Sequence, residues 1–286
     1  MAIKVENLSY SYEQPTGEKI EALKDVSFSI AAGDFVGIMG HTGCGKTTLI
    51  QLLAGLRLPA GGRISVDGED INAKGYDRSS LRQKMGVVFQ YPEYQLFATT
   101  VEKDVAFGLK YSGLSRQEVI ARVQWALETM GFDFEKIRDQ SPLALSGGEK
   151  RRVAIAGVIA RKPEILIFDE PIAGLDPYGR ENFMRFAAGM NQAGTTIIMA
   201  SHNMEALAGY TRNLLVLEEG RLIDSGPTRE VFLRLEQRKN GVFGRTKAQK
   251  IAALLAAGNL ALSPAVVTYD DLLSALKREL AGGGGG

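Results

Sequence analysis

Apolar and polar residues alternate from Ile3 to Tyr12 and again from Leu23 to Ile30, on either side of a polar loop with Pro15 and Gly17. That period of two predicts a pair of half-buried antiparallel strands. Uninterrupted apolar runs carry a different meaning. Phe35 to Met39, Met85 to Phe89, Ile165 to Phe168 and Thr195 to Ala200 are short and partly β-branched, as strands covered on both faces are. Helix-forming stretches from Thr48 to Ala54, Arg151 to Ala160 and Gly179 to Asn191 alternate with them, which predicts an α/β fold with an antiparallel β subdomain beside the main sheet.

Other signals fill in the order. Pro59 and Gly61-Gly62 precede a strand at Arg63 to Val66, and Glu219-Gly220 joins Leu214 to Leu217 with Arg221 to Asp224 as a hairpin. From Val101 to about Ile137 the period is helical, divided at Gly113, with Ser115 and Glu118 spaced as a capping box. An inserted α-helical lobe is expected over about 91–160. Gly226-Pro227-Thr228 opens a helix towards Leu235, the polar stretch Gln237 to Arg245 marks a linker, and helices at Ala248 to Ala257 and Asp270 to Leu280 form a small helical tail. The expected organisation is a main domain over 1–235, a C-terminal helical extension over 236–281 and a flexible glycine end over 282–286.

Composition narrows the partners. The 286 residues are 45% hydrophobic with a formal net charge of +1, enough for a sizeable core and no electrostatic reason to expect nucleic acid or anionic lipid. One cysteine, Cys44, and no leader pattern at Met1-Ala2-Ile3-Lys4 lead to the expectation of a reducing cytoplasm. Ile251 to Tyr269 is free of charge, but Gly258-Asn259 and Ser263-Pro264 interrupt it, so a spanning helix is not expected.

The chemistry begins at Gly40-His41-Thr42-Gly43-Cys44-Gly45-Lys46-Thr47-Thr48, between an apolar run and a helix. It fits G-x-x-x-x-G-K-[ST], in which glycines let successive N–H groups face a polyphosphate, the lysine supplies charge and the hydroxyl after it serves Mg²⁺. The helix opening at Lys46 adds its positive end. Ile165 to Phe168 ends in Asp169-Glu170, where an open α/β sheet binds ligands; Asp169 is expected to hold Mg²⁺ and Glu170 to polarise an attacking water. Four features have two readings each. Tyr10 and Tyr12 are a base-stacking platform or ordinary strand aromatics, and Gln90 is a metal or water contact or polar surface. Leu145-Ser146-Gly147-Gly148-Glu149 is an anion-binding helix end or a capped surface helix, and His202 is a γ-phosphate donor or a polar loop residue.

The order of these motifs resembles the ATP-binding cassette (ABC) ATPases over roughly 1–235. Within that family, the phosphate loop, Phe89-Gln90-Tyr91-Pro92-Glu93-Tyr94-Gln95-Leu96-Phe97 and Arg151-Arg152-Val153-Ala154-Ile155-Ala156-Gly157 look like the ATPase subunits of energy-coupling factor (ECF) importers. His41-Thr42 leans to the second of their two ATPase types. The resemblance implies a P-loop NTPase fold of ABC type, with ATP and Mg²⁺ as cofactors. It implies Tyr12 on adenine, Gly40 to Thr48 on the phosphates, and Thr47, Gln90 and Asp169 at the metal. Glu170, His202, Lys46 and Gln90 would carry catalysis, and Ser146, Gly147, Gly148 and Glu149 would complete the site of a second ATPase subunit, identical or a paralogue. The implied membrane partners are a transmembrane T component and a substrate-binding S component, with no nucleic acid. The implied location is peripheral, at the cytoplasmic face of the cell membrane, and the implied cargo is a vitamin or a transition-metal ion. The alternatives are another ABC transporter's ATPase, for export or efflux, a non-transport ABC ATPase, and a module that holds ATP without turnover.

Two positions depart from the family pattern. Glu149 stands where glutamine is commoner, leaving open whether it caps its helix or meets the ribose. Cys44 stands where serine is commoner, and a thiol at a helix entry is expected to have a lowered pKa, so that alkylation blocks ATP binding. After Gln90, an exposed Tyr94, Leu96 and Phe97 are the expected contact with membrane partners.

Overall fold

In the computed structural model of the chain, the uninterrupted apolar runs become the centre of a six-stranded sheet. Its strands are β3 (Phe35–Met39), β6 (Met85–Val88), β7 (Ile165–Asp169), β8 (Thr196–Ser201), β9 (Asn213–Glu218) and β10 (Arg221–Pro227), in the order β10-β9-β3-β8-β7-β6. All neighbours are parallel except β10, which closes on β9 as the expected hairpin. The structure describes residues 2–15, 17–238, 243–258, 260, 262 and 265–282. The expected breaks at Asn259 and Ser263-Pro264, the middle of the expected linker at 239–242, and the glycine end from 283 onward lie outside these.

Why the runs are unbroken follows from the packing. Along β7, Ile165 and Ile167 enter one hydrophobic cluster while Leu166 and Phe168 enter another on the opposite face; β8 repeats this with Ile198 and Ala200 against Ile197 and Met199. Alternate side chains leave opposite faces of a strand, so both sets must be apolar. Each fully buried side chain of this size contributes roughly 1.5–3 kcal/mol.

The first cluster is roofed by a four-stranded antiparallel sheet, β2-β1-β4-β5, built from β1 (Ile3–Glu13), β2 (Lys19–Ile30), β4 (Gly61–Val66) and β5 (Glu69–Asp70). Helix α1 (Lys46–Leu53) buries Leu49, Ile50, Leu52 and Leu53 in the same cluster. The second cluster is covered by α3 (Val101–Phe107), α4 (Arg116–Thr129), α5 (Phe134–Ile137), α6 (Gly147–Ile159) and α7 (Pro177–Gln192). Ser115 and Glu118 form the capping box that their spacing predicts, a cap of about 1 kcal/mol.

Two short helices have no counterpart in the sequence reading. α2 (Arg78–Lys84) buries only Leu81 and is started by the Asp77 side chain, which accepts from Ser79 N; α8 (Met204–Tyr210) is started by Asn203 and buries only Leu207. One buried residue in seven leaves no apolar stripe to detect.

α9 (Thr228–Gln237) packs Val231, Phe232 and Leu235 beside Met39 and Leu214. α10 (Lys247–Ala257) and α11 (Tyr269–Gly282) form a small cluster of their own around Ala248, Val266, Leu272 and Ala275. Polar contacts join this extension to the body: Lys247 N donates to Glu205 Oε1 at 3.0 Å, Gln249 Nε2 to Glu236 Oε2 at 3.1 Å, and Arg229 Nη1 to Asp271 Oδ1 at 2.6 Å. Among the described residues no helix is long and apolar enough to cross a membrane.

Candidate functional site

The C-terminal ends of β3, β7 and β8 deliver three stretches to one place. After β3 the chain turns through the glycine loop into α1, with Gly45 at φ 109° as the residue before the helix, a conformation open to glycine. A Cβ on Gly45 would stand 2.6 Å from Ala22 O, and one on Gly40 would strike Cys44 Sγ and stand 2.6 Å from Leu217 O. The loop is therefore a cradle drawn tight against β2 and β9, with no room for side chains at those positions.

Lys46 is buried, and its Nζ donates to Gly40 O at 2.6 Å and His41 O at 3.1 Å. Its third neighbour is Glu170 Oε1 at 3.4 Å. Glu170 follows β7 with φ 48°, a left-handed conformation that costs a non-glycine residue free energy and is held by the structure around it. Its N–H donates to Ala200 O at 2.9 Å, which ties it to β8. Glu170 Oε2 lies 2.9 Å from His202 Nδ1 and receives Ser201 Oγ and His202 N at 3.4 Å each. Lysine, carboxylate and imidazole thus form one continuous contact.

Beside it, Thr47 Oγ1 donates to Asp169 Oδ2 at 2.7 Å. Burial pushes the Asp169 carboxyl up, with the negative Glu170 next to it adding to the rise and the Thr47 bond and Lys46 opposing it. Asp169 Oδ1 is buried with no hydrogen-bond partner among the described residues. An orphaned carboxylate oxygen beside a threonine hydroxyl is a hard-oxygen donor set, and two protein oxygens completed by phosphate and water suit Mg²⁺. The residues present therefore fit that ion.

Tyr12 reaches the same helix, its Oη 3.0 Å from Thr48 Oγ1. Tyr10 and Tyr12 meet edge to face at 5.0 Å, and the Arg57 guanidinium lies over both rings, at 5.6 and 4.9 Å. Gln90 is exposed just past the end of β6, which β7 and β8 separate from β3, and it makes no hydrogen bond to Thr47 or Asp169. Ser146 to Glu149 likewise make no hydrogen bond to residues 40–48. Glu149 Oε2 instead accepts from Ser146 N at 2.9 Å and Ser146 Oγ at 2.7 Å. Within this chain Glu149 closes a capping box, and these two bonds hold its carboxyl below the usual carboxylate range.

Two expectations need correction. Cys44 is buried, and burial pushes its thiol up rather than down, Lys46 opposing only in part; desolvation of the thiolate outweighs the helix entry. Leu96 is half-buried and packs on the helical-lobe cluster, while Tyr94 and Phe97 are 85% and 65% exposed. Sequence reasoning missed Arg151, whose guanidinium donates to Pro171 O and, at 3.0 Å, to Ala173 O. It ties α6 to the loop after Glu170; the run Lys150-Arg151-Arg152 gives no sign of which side chain turns inward.

Residues 23–173 match the ABC transporter family. The energy-coupling factor transporter ATP-binding protein EcfA2 of Clostridium tetani is 48% identical over 233 residues, 81% of each chain. The protein of the same name from Caldanaerobacter subterraneus subsp. tengcongensis is 44% identical over 283 residues, 99% of both. Among solved structures, CbiO1 from Clostridium perfringens, part of the ABC transporter complex CbiONQ, is similar with a TM-score of 0.74 and 38% identity over 91% of this chain and 98% of that one. A dimeric ATP-binding cassette in a post-hydrolysis state, bound to ADP and phosphate, gives 0.71 and 29% identity over 79% of this chain and 98% of its own.

Proposed function

The chain belongs to the ABC transporter family, among its energy-coupling factor ATP-binding proteins, and we propose that it clamps Mg-ATP between two ATPase subunits and uses the hydrolysis to drive an ECF importer. Nucleotide binding and transport-coupled ATPase activity come with the family. The observation that carries the residue-level reading is the meeting of Lys46, Glu170 and His202 beside the Thr47–Asp169 pair.

In this reading the loop N–H groups and Lys46 take the phosphates, and Tyr12 lies against the base. Thr47 and Asp169 hold Mg²⁺, with Gln90 joining from β6; the ion, when bound, neutralises charge on the phosphates. Glu170 orients and deprotonates the attacking water, and His202 contacts the outer phosphate. Phosphoryl transfer asks mainly for positioning and charge neutralisation, and these side chains supply both. Ser146, Gly147, Gly148 and Glu149, at an exposed helix entry that makes no hydrogen bond to the loop of its own chain, complete the site of the facing subunit. That subunit is a second copy or a paralogue.

Membrane partners, a T component and through it an S component, engage at the cytoplasmic face. Tyr94 and Phe97 are exposed, Phe97 meets Phe107 edge on at 4.8 Å, and a cavity of about 520 Å³ follows, lined by Phe107, Tyr111, Arg82, Arg122 and Arg161. An aromatic rim beside three arginines suits an amphipathic segment with carboxylates or free helix carbonyls. The cargo class is a vitamin or transition-metal ion.

Phosphate release measured against protein concentration tests the shared site. Specific activity is expected to climb as subunits pair; activity per chain that stays constant down to dilutions where the protein is monomeric would overturn the reading.

A further inference from the structure

Phe243, in the C-terminal extension, stacks its ring on that of His41 in the glycine loop, with centroids 5.0 Å apart and planes at 22°. About two hundred residues separate the two in sequence, and no role in phosphate binding or hydrolysis accounts for the contact. We propose that Phe243 is a positioning residue for the phosphate loop, through which the C-terminal extension sets the loop's affinity for nucleotide. The proposal rests on the reading of residues 40–48 as a phosphate site.

Both ends of the contact are built. On the loop side, His41 is exposed, but its carbonyl oxygen accepts from Lys46 Nζ at 3.1 Å and from Cys44 N at 3.2 Å. The ring and this carbonyl belong to one residue, so a contact that restricts the His41 side chain bears on a carbonyl that orients Lys46. On the other side, Phe243 is half-buried against the cluster of Met39, Leu207, Leu214, Val231 and Phe232, and Met39 is the last residue of the strand that enters the loop. Three residues on, Thr246 is buried in a capping box with Gln249 and donates its hydroxyl to Val267 O at 2.8 Å. Arg245 Nε pairs with Glu236 Oε1 at 3.0 Å. The ring is thus held between a packed core and a fixed helix start, and it presents a rigid face to the exposed His41 side chain. Restricting that side chain before nucleotide arrives lowers the ordering cost of binding.

The test uses the full chain with Mg-ATP as the probe. Phe243→Leu keeps apolar bulk but removes the aromatic face, and should raise both Kd and KM for ATP about three- to tenfold, the range for an aromatic pair, with kcat nearly unchanged. Phe243→Tyr should restore wild-type values. On the loop side, His41→Ala should weaken binding at least to the same degree, and joining Phe243→Leu to His41→Ala should add nothing beyond the His41→Ala effect. Thermal unfolding of each variant establishes that it folds, and Phe243→Met, read in the same way, decides the matter should Phe243→Leu not fold. Wild-type affinity in Phe243→Leu or His41→Ala, effects that multiply in the double variant, or a loss in kcat alone overturns the proposal. Failure of the wild-type chain to bind Mg-ATP would remove the phosphate reading and this proposal with it.

Discussion

Glu170 bridges two partners of opposite kind, His202 Nδ1 at 2.9 Å from one oxygen and Lys46 Nζ at 3.4 Å from the other. A carboxylate only accepts, so with Glu170 ionised the proton lies on Nδ1, and the neutral ring then leaves Nε2 as an acceptor. Donation from Nε2 to phosphate requires the imidazolium, or a break with Glu170. Glutamine for Glu170 should leave ATP binding intact and lower turnover by roughly 10²-fold or more. Alanine for His202 should cost a comparable factor, and the double variant should fall well short of the product of the two. Single-turnover phosphate release in all three checks this; undiminished turnover in Glu170→Gln means the carboxylate is misassigned.

Asp169 sets stability against chemistry. Its carboxyl is raised in the folded chain by burial, so the fold binds that proton more tightly than the unfolded chain does. The stabilisation is complete below the ordinary aspartate range and is lost as pH rises through the elevated folded value. At neutral pH the ionised group is a cost. Asp169→Asn should therefore raise the Tm of nucleotide-free protein near pH 7, give no gain in acid, and cut Mg-dependent turnover by about 10²-fold or more. A neutral-pH Tm at or below the wild type counts against the argument.

Cys44 should react slowly. Its thiol is buried and raised, so labelling by iodoacetamide at pH 7 is expected to run at least about tenfold slower than for an exposed cysteine, and to quicken on mild unfolding. Fast stoichiometric labelling of the native chain would show an open, ionised thiol instead.

Tyr94 and Phe97, rather than Leu96, are the probes for a membrane partner. Alanine at both should weaken association with a transmembrane subunit while leaving ATP affinity within about twofold, since exposed side chains add little to the fold. Leu96→Ala, which removes a half-buried contact with the helical lobe, should lower Tm instead. Co-purification and a melting curve separate the two effects.

Local order is what the chain encodes on its own. The alternating first strands, the two-faced apolar runs of β7 and β8, the glycine loop opening α1, and the Ser115 and Ser146 boxes all depend on neighbours within a few residues, and such patterns survive without a tertiary context. α2 and α8 lacked them, because one buried side chain makes no periodicity. The carboxylate that follows β7 was legible as chemistry, but its pairing with Lys46 and His202 was not, since these meet only when β3, β7 and β8 lie side by side. Tertiary structure likewise decided the fate of Cys44, where burial outweighs the helix entry, and of Leu96, turned inward between exposed neighbours. It brought Phe243 onto His41 from across the chain. Burial and long-range contact are properties of the assembled packing, and no window of sequence contains them.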